Sequence, residues 1–288
     1  MSGAIRNAAL ADLPCLVARH PRAFRRMPPS RLRALAITVA ALALLALSIW
    51  RLELSPLRVF AGMGQMLHFL TLMLPPDPGS WPRFVQMLQL LAETLAIAFL
   101  GTLVAAILAI PLGFLAARNT TVNRVVHFLS RRALDGIRGV DALIWALIWI
   151  SVVGLGPFAG VLAIVTSDIG TFGKLYSEAI EAVDRKAAEG VASTGGNRLH
   201  SIRYGVLPQV LPVLAGQVLY MFESNTRSSS IIGIVGAGGI GLMLSEMIRT
   251  LEWPAVSMIV VLILIMVAAI DALSSRLRTA IAGAPSGH

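Results

Sequence analysis

The sequence predicts an all-α polytopic membrane protein, with six transmembrane helices and both ends in the cytoplasm. Three observations predict it. Of 288 residues, 56% are hydrophobic and only 14% charged, with mean hydropathy +0.77; a soluble domain carries roughly a quarter charged residues. A chain of this length has no way to bury so much apolar surface in water. Uncharged runs close to the ~20 residues needed to cross a hydrocarbon core recur along it. Finally, the basic residues are distributed unevenly between the segments that join those runs.

The first run, Ala34–Trp50, lies between Arg33 and Arg51. It is slightly short, which tilt and snorkelling flanks accommodate. More than 30 residues precede it and no small-x-small site follows, so it reads as an uncleaved helix (34–52) rather than a signal peptide. A basic tail, 1–33, comes before it. The Pro-rich stretch Met73–Pro82 marks an external loop over 53–83. The second span is Thr94–Ala117, kinked at Pro111. The run Ala142–Ser167 is broken by a Gly/Pro turn near Gly154–Pro157, which places a third span near Asp135–Val153 and a fourth near Phe158–Gly173. The fifth runs from about Val210 to Ile232 and the sixth is Trp253–Ile270. The membrane domain therefore covers 84–275, with an inner loop at 174–208 and a cytoplasmic tail at 276–288.

Lys and Arg orient these spans. With the N-terminus inside, 19 of the 24 fall on inner segments, leaving Arg51, Arg58, Arg83, Arg227 and Arg249 outside. That bias sets both termini inside. It also accounts for the net charge of +9 without nucleic acid. The one cysteine, Cys15, excludes an internal disulfide, and the five histidines form no cluster with metal-ligand spacing. No phosphate loop and no nucleophile elbow is present. These absences argue against an enzyme.

One stretch suggests nucleotide chemistry. Within Ile231–Leu244, Gly236, Gly238 and Gly241 spell G-x-G-x-x-G. That fingerprint needs a βαβ unit and a later acid, whereas a membrane span precedes these glycines and another follows. A separate seventh span would also invert the ends. Five glycines between Gly233 and Gly241 make a poor lipid-facing helix. We read Gly236, Gly238, Gly239 and Gly241 as a close-packed irregular gate segment at the outer, broken end of the fifth span.

The inner loop splits into two helical pieces, Lys174–Ala188 and, after Gly195-Gly196, an amphipathic stretch through Leu199, Ile202 and Val206 to Pro208. Glu189 is followed six residues on by Gly195 and twelve further on by Leu207-Pro208. This resembles the EAA loop of ABC importer permeases, E-A-A-x3-G-x9-I-x-L-P, from which Gly190, Val191 and Gly205 depart. Gly154–Gly160, Gly173–Asp184, Ser193–Pro212 and Phe222–Gly241 also resemble the permease subunit of phosphonate ABC importers, a family that includes phosphite carriers. The likeness spans roughly Glu93 to Ser274.

That resemblance implies a type I importer permease in the bacterial inner membrane. It implies a homodimer of the permease with two ABC ATPase subunits and an external solute-binding protein. ATP and Mg would belong to the ATPases, with no cofactor on this chain. Glu189, Gly190, Ala192, Gly195, Gly196, Leu207 and Pro208 would form the ATPase-coupling loop. The cluster Glu223, Asn225, Arg227, Ser228, Ser229 and Ser230 sits in the fifth span, where ionisable groups are expensive. A Glu223–Arg227 pair at i, i+4 and a lining for the path of a tetrahedral anion are both open, and are not exclusive. Asp168 reads as an interhelical hydrogen-bond partner. A secondary transporter would predict inverted repeats, and no similarity between halves is visible.

Overall fold

The computed structural model describes Cys15, Ala18 and residues 29–52, 56–121 and 123–282. Among these every regular element is helical. Among the described residues five helices are long and apolar enough to cross a membrane, or six if a pair bent at a short break counts as one span. Two compact units are present, divided after Phe69. The first holds α1 (Pro29–Arg51), which carries the first apolar run, and most of α2 (Pro56–Leu72). The expected external loop at 53–83 is thus largely helix.

The second unit is built on α3 (Trp81–Ala116) and α6 (Pro157–Glu181), the most extensively packed pair. Small residues allow this. Gly101 of α3 rests on Ile164 of α6, and Gly113 on Tyr176, each so close that a Cβ would stand 2.7 Å from its neighbour. In a membrane, where apolar burial drives little association, such close packing is the main attraction between helices. Both helices overrun the predicted spans. Ser80 caps α3 by accepting from the Arg83 amide, and Pro111 is held inside it. Pro157 begins α6 after the Gly154–Gly156 turn.

The third span differs from a single run over Asp135–Val153. It consists of α4 (Arg124–Arg138) and α5 (Ala142–Val153), bent by 86°. The cause is local. Asp141 accepts from the Leu143 amide and starts a new helix, so the chain cannot continue straight through Gly139. Only α5 is apolar throughout; α4 carries four arginines, and seats Leu134 against Gly173 of α6.

After α6 the inner loop breaks sooner than Ala188. Asp184 accepts from the Lys186 amide and caps α7 (Arg185–Ser193). A short turn, Arg198–His200, leads into a π-helical stretch, Ser201–Val206, and directly into α8 (Leu207–Ile234). Pro208 has no N–H to return to the preceding turn, which favours the wider winding there. α8 ends in a turn, is followed by the short α9 (Gly239–Arg249), and the chain returns through α10 (Trp253–Ala282).

α10 continues beyond Ile270, and this corrects one charge assignment. Arg278 donates to Glu223 at 2.8 Å, and Arg227 lies 3.4 Å from Asp271. Arg227 and Arg278, assigned to opposite sides from the sequence, therefore share one level of the bundle. The assignment of these two arginines to opposite sides therefore does not hold.

Candidate functional site

Three regions on or beside α8 hold the residues singled out by sequence. The first is the loop at its start. α7 exposes Glu189, Gly190 and Ala192 and buries none of its residues. Its chain ends in a turn at Gly195 (φ +84°), a backbone that favours glycine, and the Gly196 amide donates to the Val191 carbonyl. A helix so exposed needs an anchor, and Gly205 supplies it. A Cβ at 205 would lie 2.8 Å from the Ala188 Cα and 2.9 Å from its nitrogen. The backbones of α7 and the π-helical stretch therefore touch where a side chain would hold them apart. This departure from the EAA pattern is a packing requirement, legible only once the two segments are seen in contact. Leu207 and Pro208 then open α8, and Gln209 Nε2 reaches back to the Asp184 carbonyl at 3.4 Å.

The second region lies midway along α8. Asn225 is buried, 7% exposed, and donates from Nδ2 to Thr102 Oγ1 of α3 at 2.8 Å and to Asp168 of α6. Thr102 in turn donates to the Ala98 carbonyl, and Ser229 to the Asn225 carbonyl at 2.7 Å. Asp168 is thus the interhelical partner that sequence suggested, and the amide is what makes a carboxylate tolerable at this depth. Asn225 and Ser229 face the interior of this chain and do not line an open path. Ser230 is buried too, with no hydrogen bond to its Oγ among the described residues. Arg227 (side chain 47% exposed) is the exposed member of the group, and Glu223 (side chain 14% exposed) and Ser228 are partly accessible.

Arg227 is also the bridge of an ion-pair group. It lies 3.6 Å from Glu223, so the i, i+4 pair is present, and 3.4 Å from Asp271. Glu223 in addition accepts from Arg278. Asp271 and Arg278 were not identified from sequence, because their partners lie about 50 residues away on another helix. A charge near the end of the sixth span was the only available hint.

The third region is the glycine turn. Gly236, Gly238 and Gly239 all have positive φ, and Gly236, Gly238, Gly239 and Gly241 are fully buried. A Cβ on Gly238 would stand 2.8 Å from the Pro157 nitrogen, and Gly241 packs against the Ser230 carbonyl and Gly233. The segment is closely packed, with irregular backbone only over the turn before α9. Its free amides are satisfied from α3: Glu93 Oε1 accepts from Gly239 N at 2.9 Å, and Thr94 Oγ1 from Ile240 N at 2.8 Å. A carboxylate on the first amides of a helix is favourable both as a cap and toward the helix dipole. Glu93 and Thr94 were missed as site residues; an acid directly before an uncharged run was the available signal.

A bundle of membrane helices, one of them broken, with a projecting helix–turn fixed to the base of another, defines the membrane subunit of a transporter. The chain belongs to the family of binding-protein-dependent transport system inner membrane components, whose pattern it matches over residues 109–284. It is 38% identical over 278 residues to the putative phosphite transport system permease protein HtxC of Stutzerimonas stutzeri, covering 96% of this chain and 94% of that one. It is 37% identical over 228 residues to the phosphate-import permease protein PhnE of Mycolicibacterium smegmatis, covering 79% of this chain and 42% of that protein. A third relative, the putative cryptic phosphonate transport system permease protein PhnE2 of Escherichia coli, is 48% identical over 117 residues, 41% of this chain and 96% of its own. Among solved structures, the inward-facing MetNI methionine ABC transporter superposes with TM-score 0.61 at 20% identity, covering 70% of this chain and 99% of that one. The fold is accordingly that of the membrane subunits of ABC importers.

Proposed function

We propose that this chain is the permease subunit of an ATP-driven importer that carries a phosphorus oxyanion (phosphonate, phosphite or a phosphate ester) across the bacterial inner membrane. The observation that carries this reading is the near full-length similarity to a protein named for phosphite transport. Two copies of the chain pair with two ABC ATPases, which hold ATP and Mg²⁺, and receive cargo from an external binding protein.

In this reading α7 seats Glu189, Gly190 and Ala192 in a groove of the ATPase. Gly195-Gly196 turns the chain at its end, and Leu207-Pro208 begins the lever that carries movement into the bundle. The accessible strip of α8, with Arg227 and Ser228, lines the path of the anion. Arg227 is paired with Glu223 and Asp271 and still keeps 47% of its side chain exposed there. Gly236, Gly238, Gly239 and Gly241 form the outer gate, clamped by Glu93 and Thr94 in the present conformation. Irregular backbone is tolerated at such a gate because surrounding protein covers it.

Reconstitution in proteoliposomes with the ATPase and binding protein tests this. Labelled phosphite or phosphonate should accumulate only with ATP. Accumulation of another solute instead would overturn the cargo and leave the permease reading standing; accumulation without ATP would overturn both. The mass of the purified complex should correspond to two copies of this chain. A second, different permease chain in the complex would refute the homodimer.

A further inference from the structure

α4 has two faces, and packing accounts for only one. Leu134 and Ile137 turn toward α6, where Leu134 meets Gly173 and Ile137 meets Gly170. The opposite side carries Val125, Phe128 and Leu129, which are 60%, 58% and 60% exposed. The Arg132 guanidinium lies over the Phe128 ring, 5.5 Å from its centroid. At the N-terminal end of the helix is a cavity of about 620 Å³ lined by Arg118, Thr121, Asn123, Arg124, His127 and Phe128. Its lining includes two arginines and no acid.

These charges are not spent inside the protein. The nearby acid Glu181 accepts from the Arg118 backbone amide at 2.8 Å and pairs with Arg131 at 3.2 Å, while Asp135 is taken by Lys174 and Arg132. Neither the Arg118 nor the Arg124 side chain has an acidic partner among the described residues. His127 Nδ1, on the wall of the cavity, is buried without a hydrogen bond among them. The cavity opens just after α3 ends at Ala116, so the apolar part of a membrane helix stops next to it. By the charge bias this is the cytoplasmic surface.

We propose that this cavity and the exposed strip of α4 seat one anionic phospholipid of the cytoplasmic leaflet. Arg118 and Arg124 hold the phosphodiester, for which the planar guanidinium is well matched. Thr121 and Asn123 offer polar contacts to the headgroup, and Phe128, Val125 and Leu129 rest on the glycerol and upper acyl chains. The apolar rim selects lipid over a small free anion, for which such a rim has no use. The lipid braces α4 on the near side of the bend that the Asp141 cap sets.

Native mass spectrometry of the detergent-solubilised full chain tests the proposal with phosphatidylglycerol, phosphatidylcholine and inorganic phosphate as probes. Phosphatidylglycerol adducts should exceed phosphatidylcholine adducts, and Arg118→Gln with Arg124→Gln should weaken them about 25-fold, at roughly fivefold per arginine. Arg118→Lys with Arg124→Lys keeps the charge and should retain most of the adduct, which separates loss of the seat from loss of folding. Undiminished phosphatidylglycerol retention in the Gln variant would overturn the proposal. So would displacement of the lipid by equimolar inorganic phosphate, which marks a free-anion site. A change in oligomeric mass in the Gln variant would also overturn it, marking a contact between copies.

Discussion

Restoring the family pattern at position 205 should damage this protein. The EAA motif carries isoleucine where this chain has Gly205, so Gly205→Ile brings the loop nearer to the motif. The structure predicts the opposite of improvement. The first carbon of the new side chain would meet the Ala188 Cα at 2.8 Å, its nitrogen at 2.9 Å and the Ala187 carbonyl carbon at 3.2 Å. All three are backbone atoms within α7, so no side-chain rotation relieves the overlap. Overpacking of this kind costs about 1–3 kcal/mol, and the branched isoleucine belongs at the upper end. The cost falls almost wholly on the seating of α7, which buries none of its own residues. Each 1.4 kcal/mol is a factor of about ten in the undocked population, so α7 should detach roughly 10- to 100-fold more often. Hydrogen exchange followed by mass spectrometry reads this directly. Amides of Arg185–Ser193 should exchange faster by that factor while those of α3 and α6 stay protected. Transport per ATP hydrolysed should fall in the reconstituted complex. Unchanged exchange over α7 together with unchanged coupling would refute the reasoning.

Three further outcomes are expected. Asn225→Leu strands the Asp168 carboxylate inside the bundle and should cost roughly 3 kcal/mol; Asp168→Asn in the same background should recover much of it, and thermal unfolding in detergent that shows neither effect would remove Asn225 from this role. Arg278→Gln should cost under about 1 kcal/mol, because the pair is partly solvated and Glu223 keeps Arg227 nearby; the double variant with Arg227→Gln should show non-additive loss in a double-mutant cycle. Gly238→Val places a branched residue at φ +83° against the Pro157 backbone, about 1–3 kcal/mol for the strain alone; uptake should stop while the ATPase still copurifies, and persistent uptake would sink the gate assignment.

The helices were legible from sequence because apolar runs and charge asymmetry are one-dimensional signals. Proline and glycine mark most breaks, but the caps Asp141 and Asp184 do not stand out in the sequence, so the bend between α4 and α5 and the early end of α6 came only from the structure. What escaped was pairing. The count of basic residues by segment puts Arg227 on the side opposite Arg278; in the structure Arg227 pairs with Asp271 of α10, and Arg278 of α10 pairs with Glu223 one turn before it. Asn225 and Ser229 looked like path residues because polarity in a span signals function, but which face of α8 they occupy depends on where α3 and α6 lie. The glycines form a turn between two helices, α8 and α9, and their acidic partner Glu93 lies some 146 residues away in sequence.

Gly205 explains how a small exposed helix can act on a membrane bundle. Force applied to α7 passes through direct backbone contact into the π-helical stretch and on into α8 without an intervening loop. α8 is 28 residues long, about 42 Å; at one level it meets α10 through Glu223 and Arg227 and α3 and α6 through Asn225, and further on it meets α9 through Gly233. α3 and α6, locked by close glycine contacts, are the body expected to stay fixed when α8 moves. The polar links along α8 differ in cost. The ion pairs with α10 are partly solvated and cheap to exchange, whereas the Asn225–Asp168 contact is buried and expensive to break. A displacement of α7 should therefore pivot α8 about Asn225. The ends of α8 would then swing in opposite directions, and the Gly233–Gly241 contact would open while the α10 contacts, in the same turn as Asn225, move little. Cysteine pairs across the two ends, crosslinked with and without ATP in the assembled complex, should change reactivity together, with the pair at Asn225 constant; movement at Asn225 as large as at either end would exclude the pivot.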